Sequence, residues 1–201
     1  MKKIISVFLL IMLLGTLLTA CGSKTTDEPQ TAEEAVTIEG LTEPIAEQPV
    51  LLTSVGQSAD VEMVKTMLTK SDIDLTMKTT ATEADLTDVK TLVLAVGGSS
   101  KGLGAAGIDA DQELERVSAL IDKADEAGIT IIAVHIGGEA RRGELSDKFI
   151  GPSFAKADYA IVVAAGDKDG MMSKLASESK MPMDLVDTMA DVMSPLKAAF
   201  K

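Results

Sequence analysis

The chemistry available to this chain sits in a few glycine-flanked clusters. His135 is its only histidine, and it could act as an acid or base with Glu139 or Asp60 as carboxylate partner. Lys101, Arg141 and Arg142 are cations embedded in glycine-rich stretches of an otherwise acidic chain. Gly56, Gly97, Gly98, Gly137 and Gly138 could bring backbone N–H groups close to a ligand. Gln57, Ser58, Ser99 and Ser100 could add side-chain hydrogen bonds. Together they describe a site for a small polar or anionic molecule. His135 and Glu139 are the candidate catalytic pair if the same site turns over its ligand as a hydrolase or transferase. A protein-interaction surface is the third possibility, and a flat edge with an exposed apolar patch would mark it.

Composition removes several other functions. Nineteen basic residues against 31 acidic ones give a net charge of −12, which opposes phosphate-driven nucleic-acid binding. Aromatics are 2% of the chain, too few for base-stacking platforms. A single cysteine excludes an internal disulfide framework and multi-cysteine metal sites. Asp167, Asp169 and Gly170 look like a fragment of a calcium loop, but its remaining ligands and terminal Glu are missing. The methionine pairs Met63/Met67 and Met189/Met193 have helical spacing and read as core filling rather than copper ligands. No metal and no cofactor is expected.

These clusters must be held by a folded domain, and the chain organises itself around one. Met1, Lys2 and Lys3 precede an apolar run over residues 4–18, too short for a confident membrane span and suited to a signal peptide. Residues 18–21, Leu-Thr-Ala-Cys, resemble the lipobox of bacterial lipoproteins. That resemblance implies cleavage before Cys21, its diacylation, and anchoring to the outer face of the cell membrane, so a lipid bilayer is an expected partner. Residues 21–48 are acidic and poor in large apolar groups, and they read as a disordered tether.

From Pro49 onward, short apolar strands alternate with amphipathic segments. Strands are expected at Val50–Val55, 74–79, Thr91–Val96, 129–136 and 159–164. Helices are expected over 58–70, 109–128, from 143, and over 170–179 and 187–200, with a short helical link over 82–89. Asp109 and Gln112 form a capping box, and Gly128 ends that helix. Continuous apolar strands joined by helices predict an α/β domain, a doubly wound and mostly parallel five-stranded sheet in the flavodoxin-like order 2-1-3-4-5. A Rossmann-like order is the alternative. Either order gathers the glycine clusters at the carboxyl edge of the sheet, where such folds bind ligands.

Two resemblances bear on this edge. Residues 98–104 resemble the glycine motif of short-chain dehydrogenases, which implies a dinucleotide. That family's motif follows its first strand, however, and Val163 stands where its catalytic Tyr-x-x-x-Lys would place the lysine after Tyr159. Residues 56–60, 97–109 and 135–147 together resemble a family of bacterial secreted or lipid-anchored proteins that carry a domain of unknown function. The likeness runs from Pro49 to the end and implies an α/β fold. It carries no established activity or catalytic residues.

Overall fold

The computed structural model describes residues 38–201. The expected signal peptide, Cys21 and most of the expected tether lie outside them. No helix among the described residues is long and apolar enough to cross a membrane.

Six parallel strands form one sheet, in the order β2-β1-β3-β4-β5-β6. They are β1 (Val50–Val55), β2 (Leu75–Met77), β3 (Thr91–Val96), β4 (Thr130–His135), β5 (Tyr159–Val163) and β6 (Met183–Val186). The first five follow the expected flavodoxin-like order, and the Rossmann-like alternative is excluded. The sheet has six strands rather than five, because Met183–Val186 pairs with β5 in parallel register. Every residue of β1 and β3 is buried, as a sheet covered on both faces requires.

Side chains alternate between two cores. Leu51, Leu92, Leu94 and Val96 face α3 (Ala110–Glu126) and α4 (Glu144–Ala155), where they meet Val117, Leu120, Phe149 and Phe154. Val50, Leu52, Val93 and Ala95 face the opposite way, toward Val61, Val64 and Leu68 of α1 (Asp60–Lys70) and Leu196 of α6 (Met193–Ala198). The capping box at the start of α3 is present: Asp109 accepts from Gln112 N–H at 2.8 Å, and Gln112 accepts from Asp109 N–H at 3.0 Å.

Four local expectations change. Residues 38–48, read as tether, pack on the domain instead. Ile38, Leu41 and Ile45 rest against the cores, Ala46 is fully buried, and Thr91 Oγ1 donates to the Glu47 carbonyl at 2.7 Å. Residues 100–106, read as loop, form helix α2 (Ser100–Ala106), capped by Ser99 and closed by Gly107 in the left-handed conformation. The last helix is shorter than 187–200 and is preceded by a 3₁₀ turn over Met189–Val192. Met67 is core, but Met63 and Met193 are exposed.

Candidate functional site

The carboxyl ends of β1, β3 and β4 meet at the point where the chain reverses direction across the sheet. Gly97 N–H donates to the Val55 carbonyl at 2.9 Å and Ser99 N–H to the Gly56 carbonyl at 2.8 Å, tying the loops after β1 and β3 together. Gly56 and Gln57 both have positive φ, at 93° and 60°. A side chain on Gly102 would place its Cβ 1.8 Å from the Gln57 carbonyl oxygen, so only glycine lets α2 seat on this turn.

Much of the hydrogen-bonding capacity foreseen for a ligand is used internally. Gly56 N–H donates to buried Glu113 at 2.9 Å, and Gln57 Nε2 donates to Glu113 at 3.0 Å and to the Thr79 carbonyl at 2.9 Å. Gly98 N–H donates to Ser146 Oγ at 3.0 Å. Ser99 Oγ accepts from Gly102 N–H. Gly138 is buried beside Ala165. Ser100 and Lys101 are exposed on α2, and no salt bridge of Lys101 occurs among the described residues.

His135 and Glu139 are not brought together. His135 is fully buried at the end of β4. Its Nε2 lies 3.0 Å from the Arg141 carbonyl, an acceptor only, so Nε2 carries the proton. Its Nδ1 has no hydrogen-bond partner among the described residues and packs against Gly166, where an added Cβ would lie 2.8 Å away. Glu139 is exposed and pairs with Lys168 at 2.7 Å, which holds its carboxyl below the usual range. The second carboxylate considered, Asp60, pairs with Arg141.

Burial, before any other influence, lowers the pKa of His135 from 6.5 and keeps the ring neutral. A lowered folded-state value means that the unfolded chain binds a proton first as pH falls. Stability is therefore intact above about pH 6.5 and declines below it, by up to about 1.4 kcal/mol per pH unit until the folded ring also protonates. Urea unfolding between pH 7.5 and 5 should show this loss, and His135→Gln should remove that component of the slope. An unchanged slope in the variant would assign the acid sensitivity elsewhere.

The two arginines divide sharply. Arg142 uses all five of its donors. Nε donates to Asp147 at 2.8 Å, the two terminal nitrogens grip Asp169 at 2.8 Å each, and further bonds reach the Gly166 carbonyl and Met171 Sδ. The guanidinium holds the Asp169 carboxyl down at about 2, while the two carboxylates push the arginine itself further up. Asp167 accepts from Met172 and Ser173 at the start of α5 (Met171–Ser179), so both acids of the calcium-like fragment are committed. No cluster able to hold a metal ion occurs among the described residues.

Arg141 is held through one nitrogen. Its Nε donates to Asp60 Oδ2 at 3.0 Å. Nη1 makes only a 3.5 Å contact with the Ala140 carbonyl, and no bond of Nη2 occurs among the described residues. The side chain is 30% exposed. Its stem lies over Gly97 and Gly137, whose added Cβ atoms would come within 3.1 Å and 2.0 Å of it. Ser58 Oγ and Asp60 Oδ2 converge on the same point, each 3.3 Å from a Gly97 Cβ. Ser58 Oγ accepts from Asp60 N–H at 3.1 Å, and the residue is buried. Beside this cluster runs an open groove of about 510 Å³ between the β1–α1 turn and α2.

Sequence reasoning did not find the buried Glu113–Arg116 pair beneath the turn, though a signal existed. The buried stripe of α3 (Val117, Leu120, Ile121, Ala124), continued one turn toward the N-terminus, lands on Glu113.

Residues 47–200 match the model for a domain of unknown function (DUF6305), and the chain belongs to that family. No curated protein matches it in sequence. Among solved structures it is similar to a psychrotrophic esterase from Pseudoalteromonas sp., at 10% identity over 71% of this chain and 78% of the other, with a TM-score of 0.32. It is likewise similar to a GDSL-like lipase from Bacteroides thetaiotaomicron, at 12% identity over 71% of each chain, with a TM-score of 0.33. Likenesses at this level carry no inference about activity.

Proposed function

We propose that this protein is a membrane-tethered extracytoplasmic binding module, and that Arg141 takes up a small anion at the carboxyl edge of its sheet. The observation that carries the reading is the contrast between the arginines. Arg142 has no donor left, whereas Arg141 is fixed by Asp60 through Nε and offers its outer edge above a glycine floor. A guanidinium already fixed in this way loses less freedom on binding a planar anion than a mobile side chain would. Exposed Lys101 adds a second cation at the same edge of the sheet.

Catalysis at this edge would need a base that meets the ligand. His135 is buried, neutral and turned to a backbone carbonyl, so binding is the better-supported reading.

Native mass spectrometry of the gently purified chain tests it. A stoichiometric anionic mass is expected on the wild type and absent from Arg141→Ala. Retention of that mass by the variant would refute the site. The tether has its own test: radiolabelled palmitate should enter the wild-type chain and not Cys21→Ser, and equal labelling would remove the anchor from the proposal.

A further inference from the structure

We infer that His135 is an acid-operated latch on the Arg141 site: protonation of its buried ring lifts the 3₁₀ turn Gly138–Arg141, so the edge holds its anion at neutral pH and releases it in acid. This inference rests on the anion-binding reading above and adds its regulation.

Three observations lead to it. The first is the closed ring. His135 is fully buried, its Nε2 donates to the Arg141 carbonyl at 3.0 Å, and its Nδ1 has no partner among the described residues. A second proton would place a charge and a new donor where no acceptor waits. Burial is the chief barrier to that charge; of the charged neighbours, Arg142 on the same loop opposes it and Asp60 from the first helix favours it. Beyond Gly166, Asp167 is committed to the start of α5, Lys168 pairs with Glu139, and Asp169 pairs with Arg142. The second observation is the cover. A Cβ added to Gly166 would lie 2.7 Å from the ring and 3.3 Å from the Gly138 backbone, so the ring is closed in by Gly166 and the 3₁₀ turn. The Gly166 side is pinned, since Arg142 grips its carbonyl. The turn is held less firmly. Only Gly138 of its four residues is buried, Glu139 and Ala140 are exposed, and Gly137 and Gly143 flank it as hinges. A ring that takes up a proton therefore reaches water by lifting the turn. The third observation is what the turn carries. The residue that accepts the His135 proton on its carbonyl is the one whose Nε donates to Asp60 and whose stem rests on Gly97 and Gly137. Lifting the turn takes Arg141 away from both its carboxylate and its glycine floor.

NMR of the full purified chain, from pH 7.5 down until the ring has titrated, tests the latch, because the signal of the only histidine is unambiguous. The Arg141 Nε–H signal should move from its paired position to that of a free arginine with the same midpoint as the ring, while amide signals of β3 stay in place. His135→Gln keeps a donor for the Arg141 carbonyl but takes up no proton, so its Arg141 signal should not move; His135→Asn serves if that variant is poorly folded. Butyrate supplies a planar anion as probe. Its affinity, counted on the ionised form, should be constant above about pH 6.5 and weaken by up to about tenfold per pH unit below the ring's midpoint. By linkage, saturating butyrate should lower that midpoint in the wild type and not in Arg141→Ala. An Arg141 signal that stays paired through the His135 titration, or β3 signals lost along with it, would overturn the latch and leave the anion site standing. Failure of butyrate to bind the wild type at pH 7.5 would overturn both.

Discussion

Glu113→Ala is expected to destabilise the domain by about 3–5 kcal/mol, a large part of the stability of an ordinary domain. Glu113 is fully buried and accepts from Gly56 N–H, Gln57 Nε2 and two nitrogens of Arg116. Arg116 also donates to the carbonyls of Ala81 and Ser54, at 2.7 Å each. Removing the carboxylate strands a buried cation and two amide donors together. Replacing the pair with Leu and Met should not restore stability, because those carbonyls and amides would still need partners. Glu113→Gln should fall between the wild type and the alanine variant. At this chain length the loss corresponds to a melting temperature lower by roughly 10 °C. Melting of Glu113→Ala within about 2 °C of the wild type would show that the pair does not hold the positive-φ turn beneath the groove.

Arg142→Ala should cost about 2–4 kcal/mol, although Arg142 carries the same charge as its neighbour. Its fork joins the loop after β4 to Asp147 of α4 and to Asp169 ahead of α5. Truncation takes the charged donor from two carboxylates, which keep only the Gly143 and Met171 N–H groups, and from the Gly166 carbonyl. Lysine should rescue less than half of the loss, because one ammonium cannot grip both Asp169 oxygens and reach Asp147. A second readout is independent of stability. In the alanine variant the Asp169 carboxyl should titrate near its ordinary 3.8 rather than about 2, which NMR can follow. An unmoved titration would mean that Arg142 does not hold Asp169 in solution.

The sheet was legible in the sequence because its central strands are continuous apolar runs and α3 carries a capping box. β6 was not, since Met183–Val186 is four residues long, contains an acid, and is ordered by pairing with β5 rather than by any period of its own. Asp184 on that strand accepts from the buried Tyr159 hydroxyl, a partnership 25 residues apart. α2 was hidden because glycines lower helix propensity, yet Gly102 is what lets it dock on Gln57. At the edge, the density of glycine and charge was visible, but its allocation was not. Asp60 and Arg141 are 81 residues apart, and nothing in the sequence distinguishes Arg141 from Arg142. The expected pairing of His135 with Glu139 or Asp60 gave way for the same reason. Each carboxylate found a nearer cation, Lys168 for Glu139 and Arg141 for Asp60.

The division of labour between the two arginines is the centre of the account. A single comparison tests it: thermal melts of the wild type, Arg141→Ala and Arg142→Ala, each recorded across a titration with butyrate. Arg141→Ala should melt within a few degrees of the wild type and show no butyrate-dependent rise. Arg142→Ala should melt far lower yet still be stabilised by the anion. Unfolding of Arg141→Ala to the same extent as Arg142→Ala, or an undiminished rise with butyrate in Arg141→Ala, would contradict the assignment.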